Sequence, residues 1–508
     1  MSIHFLRGST AAALCLFTAP AAFADISAQE LWTDWQQYLG SVGYDVSASE
    51  QMSGDTLTLT DFTMAMQIPN EDAAVTIVVP SLSLVGNGDG TVSIEIPNPL
   101  PVKISGKGPE GAGSGDLIVT HTGTVFKVSG SPSDITYNHS STNTTLTLAN
   151  LTDGEKAVTP EQARFVLSMD NTAGQTNMVL DGMLRTITQS ATVGAVAYDI
   201  AVDDSENGNM GSFKGALQGV SLDATVAIPK ELDPSDMAAM VKAGFATDGT
   251  FAYTGGNSAI NGSGDGSTFA ATTSSQGGSF SFGMNAQRIH YGITGKATAI
   301  EASGSDIPFP VTLNLAETLF NIDMPVAKSD TPQDFALALT LGELTMSDMI
   351  WGLFDPAGNL PRDPATLALD LTGQGKLLYD ILDPAQAEAM ANSPTPPAEL
   401  NSLNIANLLV QAVGAKLTGV GAFTFDNSDM QTIPGMPRPE GAIDLALNGA
   451  NALIDNLIAM GIISDQEAMP ARMMMGMFAV PGDGPDSLKS RIEINAQGHI
   501  LANGQRIK

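Results

Sequence analysis

The feature that most limits what this chain can form is alternation between apolar and small polar residues, repeated through most of its first half. Leu57 and Leu59, Leu82 and Leu84, and Val92, Ile94 and Ile96 leave Thr, Ser or Glu at the positions between them. The longest run is Val220, Leu222, Ala224, Val226 and Ile228, closed by Pro229. Successive side chains of a strand point to opposite faces of a sheet, so each segment has one apolar and one hydrophilic side. Between them lie turn clusters such as Gly86-Asn87-Gly88-Asp89-Gly90, where a left-handed backbone costs little. Short strands joined this way predict an antiparallel meander and not alternating βαβ units. The expected fold class is mainly β (α+β): extended, curved antiparallel meander sheets with several packing helices.

The outward positions are mostly Ser, Thr and Asn with few Lys, so exposed sheet edges need cover, and helices are the expected cover. Ser27 and Glu30 make a capping-box pattern ahead of Leu31, Trp35 and Tyr38. Asp233-Pro234 is expected to start a second helix, with Met237, Met240, Val241 and Phe245 at helical spacing. Leu403 to Val413 and Ala450 to Met460 read as two more. Ser464 with Glu467 caps a last one that carries Met473, Met474, Met477 and Phe478. Strand-like sequence follows a helix from Tyr44, Thr250 and Lys416, which points to an internal duplication of a helix-plus-meander unit. The expected division is residues 1–24, then a β-rich region over 25–230, a helix-plus-meander region over 231–400, and a helix-plus-hairpin region over 401–508. Gly255 to Gly278 reads as hairpin turns or a mobile loop, Pro394 to Pro397 as a linker, and Pro434 to Pro439 as turn-rich. Ser487 to Lys508 reads as a hairpin, with Ile492 and Ile494 before a turn at Gln497-Gly498 and Ile500 after it.

The first 24 residues have the plan of a secretory signal peptide. Arg7 is the basic flank, Ala11 to Pro20 the apolar stretch, and Ala22-Phe23-Ala24 the small-x-small site, with cleavage expected between Ala24 and Asp25. The apolar run is too short to cross a hydrocarbon layer about 30 Å thick. The expected location is therefore periplasmic, with no integral membrane segment left after cleavage. Cleavage also removes Cys15, the one cysteine, so the processed chain has no disulfide, thiolate ligand or cysteine nucleophile. The 508 residues hold 22 basic and 54 acidic side chains, a formal charge of -32, which repels nucleic acid and anionic membrane surfaces. With 43% hydrophobic residues there is enough to build a packed core, so wholesale disorder is not expected.

A chemical motif carries its chemistry only in the structural context that the reaction requires. Gly106-Lys107-Gly108-Pro109-Glu110-Gly111 has the glycine spacing of a dinucleotide site, but the strand-like Asp116 to Thr120 follows where a helix is needed. Asp203, Ser205, Asn207 and Gly208 resemble the start of a calcium loop, yet its twelfth position is Lys214 instead of a bidentate Glu. His121, His139, His290 and His499 are too far apart in sequence to form a helical zinc pair. Neither a Gly-x-Ser-x-Gly elbow nor a phosphate-binding Gly-Lys-Ser/Thr occurs. No catalytic residue, cofactor or metal ligand is therefore assigned. Met469, Met473, Met474, Met475 and Met477 crowd together beside Phe478, and without His or Cys nearby they suggest core or a greasy groove more than a copper site.

Several stretches resemble an uncharacterised exported family of Gram-negative bacteria, domain of unknown function 2125. They are Met324 to Asp330, Pro332 to Phe335, Trp351-Gly352-Leu353-Phe354-Asp355-Pro356, Leu360 to Thr366, Gly449 to Leu453 and Ala502 to Arg506. With the signal peptide, the resemblance extends over nearly the whole chain, and it brings no activity or site residues with it. In general style the chain also resembles AsmA-like envelope proteins with long curved sheets. Within the family stretches, Trp351, Leu353 and Phe354 read as a compact apolar cluster. Arg362 and Asp363, between two prolines, read as a stiff corner where an ion pair can form. The expected role is non-catalytic binding in the cell envelope, with lipid or another apolar ligand held along a sheet groove. The alternative is a periplasmic hydrolase whose two carboxylates come from distant segments.

Overall fold

The computed structural model describes residues 25–68, 73–108, 111–204, 208–230, 236–393 and 396–508. Helix α1 (Ala28–Ser41) leads into β1 (Asp45–Ser53), β2 (Thr56–Gln67), β3 (Ala74–Gly86), β4 (Val92–Glu95), β5 (Leu100–Gly108), β6 (Gly111–Thr122), β7 (Val125–Ser131) and β8 (Asp134–Asp153). Next come β9 (Lys156–Ala157), β10 (Ala163–Asp181), β11 (Leu184–Asp204), β12 (Asn209–Pro229), α2 (Met237–Lys242), β13 (Ala246–Tyr253), β14 (Gly255–Gly264), β15 (Ser267–Ser275) and β16 (Gly278–Met284). The chain continues through β17 (Arg288–Gly304), β18 (Ile307–Pro325), β19 (Gln333–Met346), α3 (Asp348–Phe354), β20 (Ala365–Leu377), α4 (Pro384–Ala391), β21 (Ala398–Ala412), β22 (Ala415–Asp426) and β23 (Arg438–Asn448). It closes with α5 (Ala450–Ala459), α6 (Asp465–Phe478), β24 (Val480–Pro481), β25 (Ser487–Ile494), β26 (Ile500–Ala502) and β27 (Gln505–Arg506).

All these strands belong to one antiparallel sheet, as the alternation leads one to expect. Long strands follow one another from β8 through β10, β11 and β12, and again from β17 through β23 to β25. Twice the sheet divides into two rows of short strands and then rejoins. β3 pairs with both β4 and β5; β4 continues to β7 and β5 to β6; both rows meet again on β8. β12, β13, β14, β15, β16 and β17 repeat that connectivity in the same order.

A seam of left-handed residues crosses the sheet where the rows divide. Asp61, Asn171, Gly219, Ala297 and Glu343 all have φ between 45° and 55° in mid-strand. The flanking registers place Asn171, Gly194 and Gly219 side by side on β10, β11 and β12, and Ala297, Ala316 and Glu343 side by side on β17, β18 and β19. At Gly219 the seam needs glycine for a second reason: a Cβ there would lie 2.4 Å from the Thr254 hydroxyl. The seam advances the alternation by one residue. On β2 the apolar positions are Leu57 and Leu59 before Asp61, then Phe62 and Met64 after it; on β3 they are Val79, then Leu82 and Leu84. All seven pack in one cluster, so the step keeps them on the same face.

That cluster forms under α1. Ser27 and Glu30 close the expected capping box, and Leu31 and Trp32 are wholly buried against Leu57, Leu59, Leu84, Val92, Val128 and Ile135. Each large apolar side chain buried here contributes roughly 1.5–3 kcal/mol. The Trp32 ring meets Phe62 edge-on with centroids 5.3 Å apart. A second capping box, Ser464 with Glu467, starts α6 as expected, and the hairpin of β25 and β26 pairs Ile494 with Ile500.

Three expectations change. Leu403 to Val413 is not a helix but most of β21. A register shift between Ile405 and Leu408 inserts an extra residue, so apolar side chains at 403, 405, 408 and 410 imitate helical spacing while remaining in a strand. Asp233 and Pro234 lie outside the described residues; α2 starts at Met237 with Asp236 as its cap, and Phe245 lies beyond its end. Gly255 to Gly278 forms the paired strands β14 and β15, because backbone hydrogen bonds to β12 and β17 hold a segment that has little to bury. Of the expected linker, Pro394 and Thr395 lie outside the described residues.

Candidate apolar ligand face

Directly opposed residues in antiparallel strands share a face, so the pairing can be followed sideways across the sheet. Leu222 stands opposite Phe251, Phe251 opposite Phe280, and the row continues through Ile293, Phe320, Leu339, Leu369 and Leu408. Gly419 comes next and then Leu445; the Leu408 and Leu445 side chains close over the glycine. In the other direction the row passes Ala191 and Gly174 to His139 and Phe126. Beyond the seam a second row runs from Phe165 through Ile200, Phe213, Ile260, Ala271 and Ala302 to Val311.

The cover over this face is uneven. Under α1, Leu57 and Leu84 are 1% and 0% exposed, whereas Phe213, Ile260 and Phe280 near the middle are 38%, 41% and 42% exposed. Ile200, Phe269 and Ile293 are open in the same way. Aromatic contacts stiffen the open stretch: Tyr198 lies 4.7 Å from Phe213, and Tyr291 bridges Phe280 at 5.2 Å and Phe320 at 5.8 Å. His139 stacks on Phe126 at 5.8 Å, and burial pushes its pKa below the ordinary histidine value.

At the carboxyl-terminal end α5 and α6 cover the sheet. Beneath α6 lies a cavity of about 750 Å³ whose walls include Leu417, Leu445, Leu447, Leu488, Ile492, Met475 and Phe478. Met474 and Met477 also line it yet are more than half exposed, as are Met469 and Met473. The methionine cluster thus forms a partly open greasy wall, as the sequence suggested.

On the opposite, hydrophilic face, Arg164, Asp199 and Lys214 form a small ion network, with distances of 3.1 and 3.3 Å. Asp199 is lowered in pKa despite its desolvation because both cations favour the carboxylate. Among the described residues, every carboxylate whose pKa departs from the ordinary value moves down. Backbone N–H donation from Leu360 lowers buried Asp355, and the Thr432 hydroxyl leads the groups that bring Asp429 to about 2.

The motifs weighed from the sequence fall apart in space. Gly106, Gly108 and Gly111 sit at the β5–β6 turn, where Gly108 pairs with Gly111. Asp203 and Asp204 end β11, and residues 205–207 of the calcium-like loop lie outside the described residues; Lys214 pairs with Asp199. His121 is 3.3 Å from the Ile96 carbonyl and His290 is 3.5 Å from Asp248. Among the described residues no three His, Cys, Asp or Glu groups gather in a way that could hold a metal. Arg362 does not pair with Asp363; it reaches Asp348 on α3 and stacks 5.8 Å above Trp351. The prolines hold the backbone of that corner, leaving the long guanidinium free to reach the helix. Trp351 is buried, but Leu353 and Phe354 are exposed, so the expected cluster is only half formed. Ala24 lies outside the described residues, and Asp25 is the first of them.

Sequence reasoning missed the residues that tie α1 to the sheet. Arg185 on β11 meets Asp34 through two hydrogen bonds of 2.7 and 3.1 Å, and both side chains are nearly enclosed. The Tyr137 hydroxyl accepts a 3.0 Å hydrogen bond from Trp35, and burial pushes its phenol up to about 12. The seam was also missed, although a step in the alternation at Asp, Asn or Gly was there to read.

Residues 239–498, from α2 to the turn before β26, match the family described as an uncharacterised protein conserved in bacteria, domain of unknown function 2125. The chain belongs to this family. Searches of curated proteins and of solved structures gave no match. No helix among the described residues of this family member is long and apolar enough to cross a membrane.

Proposed function

We propose that this chain is an exported periplasmic protein, cleaved between Ala24 and Asp25, that holds lipid or another apolar ligand along the open middle of its sheet. The observation that carries the reading is the uncovered apolar stretch around Phe213, Ile260 and Phe280, which continues sideways from a tightly packed core. Contiguous apolar surface costs free energy when it faces water, about 25 cal/mol for each Å², and such patches mark ligand or partner sites. The role is non-catalytic. A carboxylate-pair hydrolase needs one acid with a raised pKa, and among the described residues the carboxylates that shift all move the other way.

The test is to purify the protein from bacterial periplasm under native conditions, extract it with organic solvent and identify what it carries by mass spectrometry. A bound apolar molecule, depleted in Phe213→Ser and Ile260→Ser variants that remain folded, is the expected result. A ligand-free protein that also fails to bind an apolar fluorescent dye would refute the reading.

A further inference from the structure

We propose that Met473, Met474 and Met477, on the outer face of α6, hold one soft monovalent metal ion, Cu(I), through their thioether sulfurs, with Met469 one turn back on the same face. The inference goes beyond the apolar-ligand reading and does not rest on it. From the sequence alone these methionines fit a core or a greasy groove; the structure gives the helix two faces. Ala468 is 2% exposed and packs inward, and Met475 lines the cavity beneath the helix. On the opposite side Met469, Met473, Met474 and Met477 are 65%, 67%, 54% and 57% exposed. Met474 and Met477 also touch the cavity rim, whereas Met469 and Met473 are no part of its walls.

The outer face is built of sulfur and not of apolar side chains in general. Its positions from 469 to 477 are Met469, Pro470, Met473, Met474, Gly476 and Met477, with no Leu, Ile, Val or Phe among them. At the overall frequency of 23 methionines in 508 residues, a face of that size would carry fewer than one. Residues three and four apart on a helix have Cβ atoms about 5–6 Å apart. Met477 therefore neighbours both Met473 and Met474, and unbranched side chains with three rotatable bonds can turn their sulfurs to a shared point. Gly476 leaves the surface beside them bare, since a Cβ there would meet nothing within 4 Å.

The donor set selects the ion. A thioether is a soft, uncharged ligand that suits Cu(I), whereas Zn(II) and Cu(II) call for imidazole or thiolate and Ca(II) for oxygen. The lack of His and Cys nearby counts against those other ions and not against Cu(I). The charged groups of the helix are engaged elsewhere: Glu467 closes the capping box, and Arg472 pairs with Asp455 on α5, so its cation is neutralised beside the stripe. The net charge of -32 gathers cations around the molecule, yet among the described residues no three His, Cys, Asp or Glu groups form a rival site. The helix is held at both ends, by the capping box and by the Phe478 carbonyl, which accepts hydrogen bonds from the Ser490 hydroxyl at 2.6 Å and the Asn503 amide at 3.0 Å. The stripe thus sits on a rigid element, as a metal site requires.

The test uses the processed full-length chain in chloride-free buffer with Ag(I), which has the same charge and softness as Cu(I) and keeps its oxidation state in air. Native mass spectrometry and titration calorimetry should show one tightly bound ion, displaced by Cu(I) under nitrogen with ascorbate and not by a large excess of Ca(II) or Zn(II). Met473→Leu and Met477→Leu keep the apolar volume and remove one sulfur each, and each should weaken Ag(I) at least about tenfold. Met183→Leu, at an equally exposed methionine in the β10–β11 turn, should leave the affinity unchanged. If the Leu variants fail to fold, the wild type answers alone. Bound Ag(I) occupies the sulfur lone pairs, so it should slow sulfoxide formation by hydrogen peroxide at Met473, Met474 and Met477 and not at Met183, read by peptide mass spectrometry. Affinity unchanged in folded Leu variants, displacement by Ca(II) or Zn(II), equal protection of Met183, or no binding of Ag(I) by the wild type overturns the proposal. None of these outcomes touches the apolar-ligand reading, which stands or falls on the extraction experiment.

Discussion

Removing Asp34 leaves the Arg185 guanidinium charged in a place with little water. The two side chains are 7% and 11% exposed and share two hydrogen bonds, and the Tyr38 ring lies 5.2 Å from the guanidinium carbon. Breaking one partner of a buried pair typically costs about 3–5 kcal/mol, most of it the penalty of the charge left behind. The residual exposure and the Tyr38 ring soften that penalty, so about 3 kcal/mol is expected for Asp34→Ala. Leu31 and Trp32 still anchor α1, so the helix stays docked but opens more often. A loss of 3 kcal/mol raises the open population roughly 100-fold, which amide hydrogen exchange along α1 reads directly. Two of the three tryptophans, Trp32 and Trp35, sit on α1, so fluorescence in a urea titration follows the same event. The double variant Asp34→Leu with Arg185→Met removes both charges and keeps the volume, and should return to within about 1 kcal/mol of the wild type. If Asp34→Ala and Arg185→Ala each cost less than about 1 kcal/mol, or if the double variant is as unstable as the two losses added, the pair does not hold α1 as argued.

Two pH effects follow from groups in different halves of the chain. Burial raises the Tyr137 phenol from its ordinary value to about 12, so its contribution to stability is complete below about pH 10 and lost as the pH rises through 12. Tyr137→Phe should cost about 1 kcal/mol at pH 8 by leaving the Trp35 N–H without its acceptor, and should flatten that alkaline decline in denaturation midpoints. Asp429 is lowered to about 2, first by the Thr432 hydroxyl, then by the Thr432 and Gln431 N–H groups, with Arg438 alongside. Its contribution is present above about pH 4 and lost as the pH falls through 2. Amides of residues 427–438 should therefore exchange faster at pH 2.5 than at pH 5 once intrinsic rates are corrected, and Asp429→Asn should remove that difference.

The local signals translated well wherever a single element sufficed. Ser27 with Glu30 and Ser464 with Glu467 each began a helix, because a capping box satisfies orphan N–H groups within one turn and needs no partner elsewhere. The run from Val220 to Ile228 became the second half of β12. Leu403 to Val410 misled because one bulge residue changes the apparent period, and only the neighbouring strands show which period is real. The family stretch around Arg362 was legible as a stiff corner, but its partner was not, since Asp348 and Asp363 are both within reach along the chain.

Period and capping follow from bonds and side chains a few residues apart, so the sequence alone determined strand character, the amphipathic faces and where α1, α5 and α6 begin. The tertiary structure decided what those faces meet. The seam works only because left-handed residues on adjacent strands fall in line, and Asp34 meets Arg185 only when segments 151 positions apart in the sequence have come together. Whether an apolar face is covered or open depends on where the helices dock, and docking sums many contacts between distant segments. That sum buried Leu84 under α1 and left Phe213 facing outward.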